Sequence, residues 1–520
     1  MVPFRKEPRI LVATPEVAFL PDRSGTPSGA ISARAGGLGD VTATLIQTLY
    51  TFGVDVHVAM PNYRQIFRAN TGLPLKNEAC DLSPEMPAER IHLVQDRFFY
   101  YLPKLLVDKS WDTVKVALAF QREVINRIVP IVQPDLIHCH GWMTGLIPAM
   151  ARASGIPCLF TLCNVETARL LLAAVEDCGI DAASFWRHCY FERMPLSYEE
   201  TRNTNPVDFL VSAVFASHFV NTLSPSFSRQ ILEAACGFVE PPLRRELQHK
   251  QHAGCLASIE HAPPPHFNPA VDNALRRRYG PEDHPAAKAF NKLALQENLR
   301  LRMDTGAPLF FWPSRLERGR GGCRLIIDLL PDLLADYAAQ GLQLVFIADG
   351  NLHPELRALI AQINATDRVA VADFDSRRYR LAFAAADFVL LPMRHEPCGL
   401  SCKIAHRYGA LPIGHDSGGI HDALSMLETV AGKGNGFVFE NFDINGLRWA
   451  IGQAMTFHGL PNAVRAGQVG RIMAESLVRY DHESTACAYI ELYERMLQRP
   501  FGHLGTDRRC AEMQTLREAA

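Results

Sequence analysis

No two cysteines in this chain take the Cys-x-x-Cys spacing of zinc ribbons and redox motifs, although thirteen cysteines are present. Cys139, Cys158, Cys163, Cys398 and Cys402 fall in apolar or motif-like stretches rather than in a spaced framework. That pattern fits scattered reduced thiols in a cytosolic protein. No stretch approaches the ~18 apolar residues of a membrane span. The opening Met1-Val2-Pro3-Phe4-Arg5-Lys6 is too polar for a signal peptide. A cytoplasmic protein without a membrane partner is the expectation. Charge of one sign is missing too: a formal net charge of −2 over 520 residues gives no electrostatic reason to expect nucleic acid. No short-period repeat or low-complexity tract interrupts the chain.

What is present is an ordinary globular composition, 48% hydrophobic and 21% charged, on a chain long enough for two or three cores. Short apolar runs alternate with helical patterns. Ile10–Thr14, Val54–Met60, Asp135–His140, Cys158–Asn164 and Phe219–Pro225 read as strands, the last closing a first set. Glu240-Pro241-Pro242 and His261-Ala262-Pro263-Pro264-Pro265 then bracket a polar stretch suited to a connection. Strand-helix alternation restarts with Leu309–Trp312, Leu342–Ile347, Val369–Val371, Phe388–Leu391, Leu411–Ile413 and Gly436–Phe439. Such alternation implies parallel sheets covered on both faces, hence an α/β fold of two doubly wound Rossmann-like domains facing across a deep cleft. The expected limits are residues 1–240 and 241–480, with 481–520 supplying a C-terminal helix over His482–Gln498 and a tail. Ligands in these folds bind beyond the carboxyl ends of the strands.

Chemistry-bearing residues cluster at those ends. Arg34-Ala35-Gly36-Gly37-Leu38-Gly39-Asp40-Val41 joins a loop to a helix, where glycines admit a ligand to the backbone and unpaired N–H groups attract an anion. His138–Trp142 ends a strand. Its two histidines are expected to place one ring in the core, satisfied by a backbone group. Arg315 and Arg320 flank a turn and can grip a diphosphate through their planar paired donors. Glu396, with Gly399 and Leu400 at a helix start, can hold sugar hydroxyls on its carboxylate and phosphate on backbone N–H groups. Asp416-Ser417-Gly418-Gly419 is a further candidate anion loop. Alone, each has a bland reading as a tight turn, a solvated arginine or an exposed helix-start carboxylate. Their joint order weighs against that reading.

In that order the chain resembles the bacterial glycogen synthase and plant starch synthase family, GT-B glycosyltransferases that extend α-1,4-glucan from a nucleotide-glucose. The resemblance spans about residues 8 to 498. Arg34–Val41 matches Lys-x-Gly-Gly-Leu-x-Asp-Val with arginine in the lysine's place, and Asp135–Met143 matches the two-histidine motif, keeping His138, His140 and Trp142. Thr222-Leu223-Ser224-Pro225 resembles Thr-Val-Ser-Pro. Ser314-Arg315-Leu316 continuing to Arg320-Gly321 resembles Ser-Arg-Leu…Lys-Gly. The most specific match is Arg394–Leu400, followed by Tyr408–Pro412 and Gly418–Asp422. Lys288, Asn291, Lys292 and Gln296 fit a family helix pattern.

The resemblance implies a retaining glucosyltransferase, ADP-glucose favoured as donor and the non-reducing end of an α-1,4-glucan as acceptor, with no metal and no cofactor. It assigns Arg315, Arg320, Glu396, Asn164 and the Cys163 carbonyl to the reaction. Arg34, Gly36, Gly37, His140, Cys398, Gly399, Leu400, Ser401, Gly418 and Gly419 fall to substrate binding, and Phe374 to stacking on the nucleobase. The C-terminal helix is implied to pack back on the N-terminal domain. Four positions depart from the pattern: Gly141 for an aspartate, Cys163 for a histidine, Ala257 for an asparagine and Val211 for a lysine. Without a carboxylate at residue 141 a covalent nucleophile there is excluded, which favours same-face attack by the acceptor hydroxyl. Two alternatives stay open: an impaired synthase-like protein that binds glucan or nucleotide sugar as a scaffold or regulator, and a GT-B transferase with another acceptor.

Overall fold

In a computed structural model, residues 7–21, 30–33, 37–70, 86–105, 110–233, 237–318 and 322–501 are described. The chain divides into two compact units, one running to Pro264 and resuming at His482, the other spanning Pro265–Asp481.

The first unit is built on a parallel sheet of seven strands: β1 (Arg9–Ala13), β2 (Asp55–Pro61), β3 (Ile91–Val94), β4 (Leu136–His140), β5 (Cys158–Leu162), β6 (Phe219–Thr222) and β7 (Leu256–Ser258). Their order is β7-β6-β5-β4-β1-β2-β3, so the direction of winding reverses between β1 and β4. Every residue of β4 and β5 is buried, as a strand with both faces covered requires. Two short antiparallel pairs accompany the sheet, Val17–Pro21 with Ala30–Ala33 and Arg169–Leu170 with Val207–Asp208. The stretch after Glu240 folds rather than merely connecting. Pro241–His252 is a helix that buries Leu243 and Leu247, and β7 adds a strand beyond the expected last one. β3 likewise extends the opposite edge, pairing with β2 where the sequence shows only an irregular apolar run. The helix His482–Leu497 packs on the helix Gly37–Thr51, burying Ala486, Tyr489, Ile490 and Tyr493 in this unit's core.

The second unit repeats the topology with β8 (Leu309–Trp312), β9 (Gln343–Ile347), β10 (Val369–Ala372), β11 (Phe388–Leu391), β12 (Leu411–His415) and β13 (Phe437–Phe439). The order β10-β9-β8-β11-β12-β13 reverses between β8 and β11. Alternate residues of each strand feed two separate cores. Phe310, Trp312, Leu344 and Phe346 lie in one, and Leu309, Phe311, Val345 and Ile347 in the other.

The helix His284–Leu299 fixes the amino ends of these strands through buried polar groups three, four and eight residues apart. The Lys288 ammonium donates to the carbonyls of Ala384 (3.0 Å), Ala386 (2.8 Å) and Tyr408 (3.1 Å), which lie at the carboxyl ends of two helices. Helix ends leave carbonyls without intrahelical donors, and a cation there is favoured twice, by hydrogen bonding and by the dipole. Lys292 pairs with Asp387 at 2.6 Å, and the same carboxylate oxygen accepts the Leu309 N–H at 2.8 Å. Asn291 and Gln296 bond the backbone of neighbouring segments. The helix pattern that drew notice in the sequence is therefore a scaffold feature. Replacing Lys288 by methionine keeps the volume and strands three carbonyls; denaturant unfolding should show a loss of roughly 3 kcal/mol.

Candidate functional site

In an open parallel sheet, ligands bind beyond the strand ends where the winding reverses. In the second unit those are the ends of β8 and β11, which lead into Ser314-Arg315 and Arg394–Gly399. Arg315 is 24% exposed in its side chain and sits 3.5 Å from Glu317. Its loop is tied down on two sides. The Arg315 carbonyl accepts from the Cys323 thiol, and Leu316 exchanges backbone bonds with Asp349 and Leu352. Gly322, at φ +81°, lies so close to the Pro392 carbonyl that a side chain would collide with it. The loops after β8 and β11 are thus in contact.

Glu396 turns back on its own loop. Its Oε1 accepts the N–H groups of Cys398 (3.1 Å) and Gly399 (3.0 Å), and its carbonyl accepts from Gly419 at 2.7 Å. Of the helix-start N–H groups expected to cradle phosphate, that of Gly399 is therefore engaged by the chain's own carboxylate, together with the N–H of Cys398 before it. That bond fixes the carboxylate's plane. Gly399 (φ +68°) and Gly419 press backbone to backbone, and a Cβ on either would overlap the other segment. The helices Leu400–Arg407 and Gly418–Ala423 consequently start side by side, with Leu400 and Ser401 half-buried and Cys398 buried. Phe374 follows β10, is 38% exposed and lies tilted by 56° against Tyr379 with centroids 5.3 Å apart. Its N–H donates to Asp349 Oδ1 (3.3 Å), so Asp349 links the aromatic to the Arg315 loop. Sequence reasoning passed over Asp349, although an Asp-Gly pair directly after a strand was its signal.

The first unit has its own reversal between β1 and β4, and β4 ends in His138-Cys139-His140-Gly141. The two histidine rings lie on one face, centroids 4.2 Å apart, because strand side chains repeat every two residues. His138 is satisfied by side chains, not by a backbone group as expected: Thr161 Oγ1 stands 2.6 Å from Nε2 and the Tyr493 hydroxyl 2.8 Å from Nδ1. His140 is buried with neither nitrogen bonded among the described residues. Burial holds both rings below the ordinary histidine range, His140 at about 3. Asn164 Oδ1 accepts the Glu166 N–H at 3.0 Å, and the Cys163 thiol lies 3.5 Å from the Thr161 carbonyl. Gly141 has φ 70° and ψ 172°, a conformation open essentially to glycine alone. Val211 is buried in the core, its N–H capped by Asp208, and Ala257 is half-buried in β7. Gly37 is exposed at the first position of its helix. Arg34, Gly36 and Arg320 lie outside the described residues.

Two strand-end clusters on two sheets of identical winding narrow the family. Residues 9–244 match the starch synthase catalytic domain model, and residues 294–467 match glycosyl transferases group 1. Over both units the chain is similar to the glycogen and starch synthases. Glycogen synthase from Geotalea daltonii is 28% identical over 496 residues, covering 89% of this chain and 96% of that one. Glycogen synthase from Nitrosomonas europaea is 29% identical over 545 residues, covering 96% and 99%. The catalytic domain of starch synthase IV from Arabidopsis thaliana, solved bound to ADP and acarbose, superposes with a TM-score of 0.74 at 22% identity, over 95% of this chain and all of that one. The fold is the GT-B fold, and the likeness to glycogen synthases over nearly the whole chain supports a glucosyltransferase.

Two consequences of the β4 end can be measured. Restoring the family's aspartate as Gly141→Asp should lower thermal stability by about 1–3 kcal/mol, since the side chain must adopt glycine's backbone region. In acid, the buried neutral histidines bind fewer protons than they do unfolded, so stability falls as pH drops below 6.5. In urea titrations between pH 6.5 and 5, His140→Gln should shallow that decline by up to ~1.4 kcal/mol per pH unit.

Proposed function

We propose that the chain transfers glucose from ADP-glucose to the non-reducing end of an α-1,4-glucan with retention of anomeric configuration. The observation that carries this reading is the assembly in the second unit. There the Arg315 loop, the Glu396–Gly399 loop and Gly418–Gly419 adjoin at neighbouring strand ends, with Phe374 linked to the first through Asp349. The ADP held by starch synthase IV supports adenine as the donor's base.

Phe374 takes the base on its exposed face, which any nucleobase would accept, so donor choice rests on the relatives rather than on the ring. Arg315 and Arg320 offset the charge that develops on the departing diphosphate, and the helix start at Leu400–Ser401 adds oriented backbone dipoles. Glu396, its plane fixed by the Cys398 and Gly399 N–H groups, accepts from sugar hydroxyls with its remaining lone pairs. In the first unit His140 is neutral and offers one donor and one acceptor to a sugar hydroxyl, while Asn164 and the Cys163 carbonyl border the reacting carbon. Gly141 supplies no carboxylate for a covalent intermediate. The acceptor hydroxyl then attacks on the face the diphosphate leaves, and the departing phosphate oxygen takes its proton.

Incubating the purified protein with radiolabelled ADP-glucose or UDP-glucose and a glucan primer should carry label into polymer, faster with the adenosine donor. Binding of nucleotide sugar without turnover would overturn the reading. Arg315→Ala should lower kcat on the order of 10²-fold, and Glu396→Ala should abolish transfer.

A further inference from the structure

The first unit contains a run of buried polar side chains that the proposed chemistry does not use. Tyr493 and Tyr489 come from the C-terminal helix His482–Leu497, His138 from β4, Thr161 from β5, Asn221 from β6, and His261 from the segment after β7. Successive separations are 2.8 Å (Tyr493 to His138), 2.6 Å (His138 to Thr161), 2.6 Å (Thr161 to Asn221), 3.0 Å (Asn221 to Tyr489) and 2.9 Å (Tyr489 to His261).

One member sets the direction of the others. The Asn221 amide nitrogen also faces the Thr222 carbonyl at 3.4 Å, which can only accept, so Oδ1 is the atom turned to Thr161. Thr161 has a single hydroxyl proton and gives it to that oxygen. Its oxygen can then only accept from His138, so Nε2 of His138 carries the proton. Burial keeps this ring neutral. Nδ1 is therefore an acceptor, and the Tyr493 hydroxyl must donate to it. His138 is held in one tautomer and one plane from both edges. His140, in contrast, has no hydrogen bond on either nitrogen among the described residues, and its ring lies against His138 at 4.2 Å and 34°.

We propose that Tyr493 is a positioning residue for His140, fixing the ring of His138 against which His140 is seated and so making the C-terminal helix a working part of the site at the end of β4. The proposal rests on the assignment of His140 to substrate binding. A buried residue 353 positions from that histidine would then tune transfer without touching sugar. Supporting groups of this kind hold reacting side chains within about half an ångström of their working place.

The test compares two isosteric changes in the full chain. Tyr493→Phe removes the hydroxyl that His138 Nδ1 accepts from. Tyr489→Phe removes a hydroxyl from the far end of the same network, leaving the contacts of His138 intact. Long-range proton–nitrogen correlation on histidine-labelled protein reads the tautomers directly. Tyr493→Phe should turn the single Nε2–H signature of His138 into a mixture, shift both His140 nitrogens and lower kcat about tenfold, with KM for the nucleotide sugar unchanged. Tyr489→Phe should lower the melting temperature comparably while leaving the His138 and His140 signals and kcat in place. The proposal fails if Tyr493→Phe leaves the His140 nitrogens where they were, or if both changes depress kcat equally. The nitrogen signals do not depend on turnover, so a protein that transfers no glucose still decides it through them.

Discussion

A parallel strand buried on both faces has nowhere to present a reactive group except at its end, and this constraint organises the chain. β4, β5, β8 and β11 are buried along their whole lengths. Their hydrogen-bonded backbones are satisfied within the sheet, and their side chains are committed to the cores. The loop leaving each strand is released from both duties. Because the winding reverses between β1 and β4, and again between β8 and β11, the helices after those strands diverge to opposite faces and leave the space beyond the strand ends open. Arg315, Glu396, His140 and Asn164 all stand at or just after such ends.

Within that space the second unit relies on close backbone approach more than on side-chain packing. Gly322 against Pro392 and Gly399 against Gly419 are contacts that no side chain would allow. They bring three loops together with no side chain between them. The carboxylate of Glu396 holds the same loop from inside, so one residue serves both as a local cap and as a candidate sugar contact. Preorganisation of this kind avoids reordering the loop when charge develops on the ligand.

The sequence made the sheets legible because apolar runs of four to six residues bounded by polar turns have few other uses. It made the strand-end clusters legible through glycine spacing and charge. β3 and β7 were harder, for both are edge strands of three or four residues, where half-buried and polar positions blur the pattern. Nothing local marked Tyr489 or Tyr493. Their spacing of four is that of any helix face in a core, and their partners lie more than two hundred residues away. Lys288 and Lys292 carried a signal, since two lysines four apart on a buried helix face demand acceptors, but not the identity of the carbonyls that meet them.

The departures from the family pattern gain a common physical setting at the ends of β4 and β5. The Gly141 N–H donates to the Thr161 carbonyl at 3.2 Å, and the Cys163 thiol lies 3.5 Å from the same oxygen. Thr161 in turn bonds His138 and Asn221 through its hydroxyl. Two replaced residues and the buried network thus meet on one residue. An aspartate at 141 would strain the backbone that makes the first of these bonds, and an imidazole at 163 would displace the thiol from the second. The replacements are therefore coupled: their effects on stability and on the placement of His140 should not add, because each changes the surroundings in which the other is read. Val211 stands apart, buried on a helix whose first turn is capped by Asp208, where a lysine would need a counter-charge or a path to solvent. The strand end around Thr161 has its own internal consistency, and that consistency, rather than any single missing side chain, sets what the ends of β4 and β5 can do.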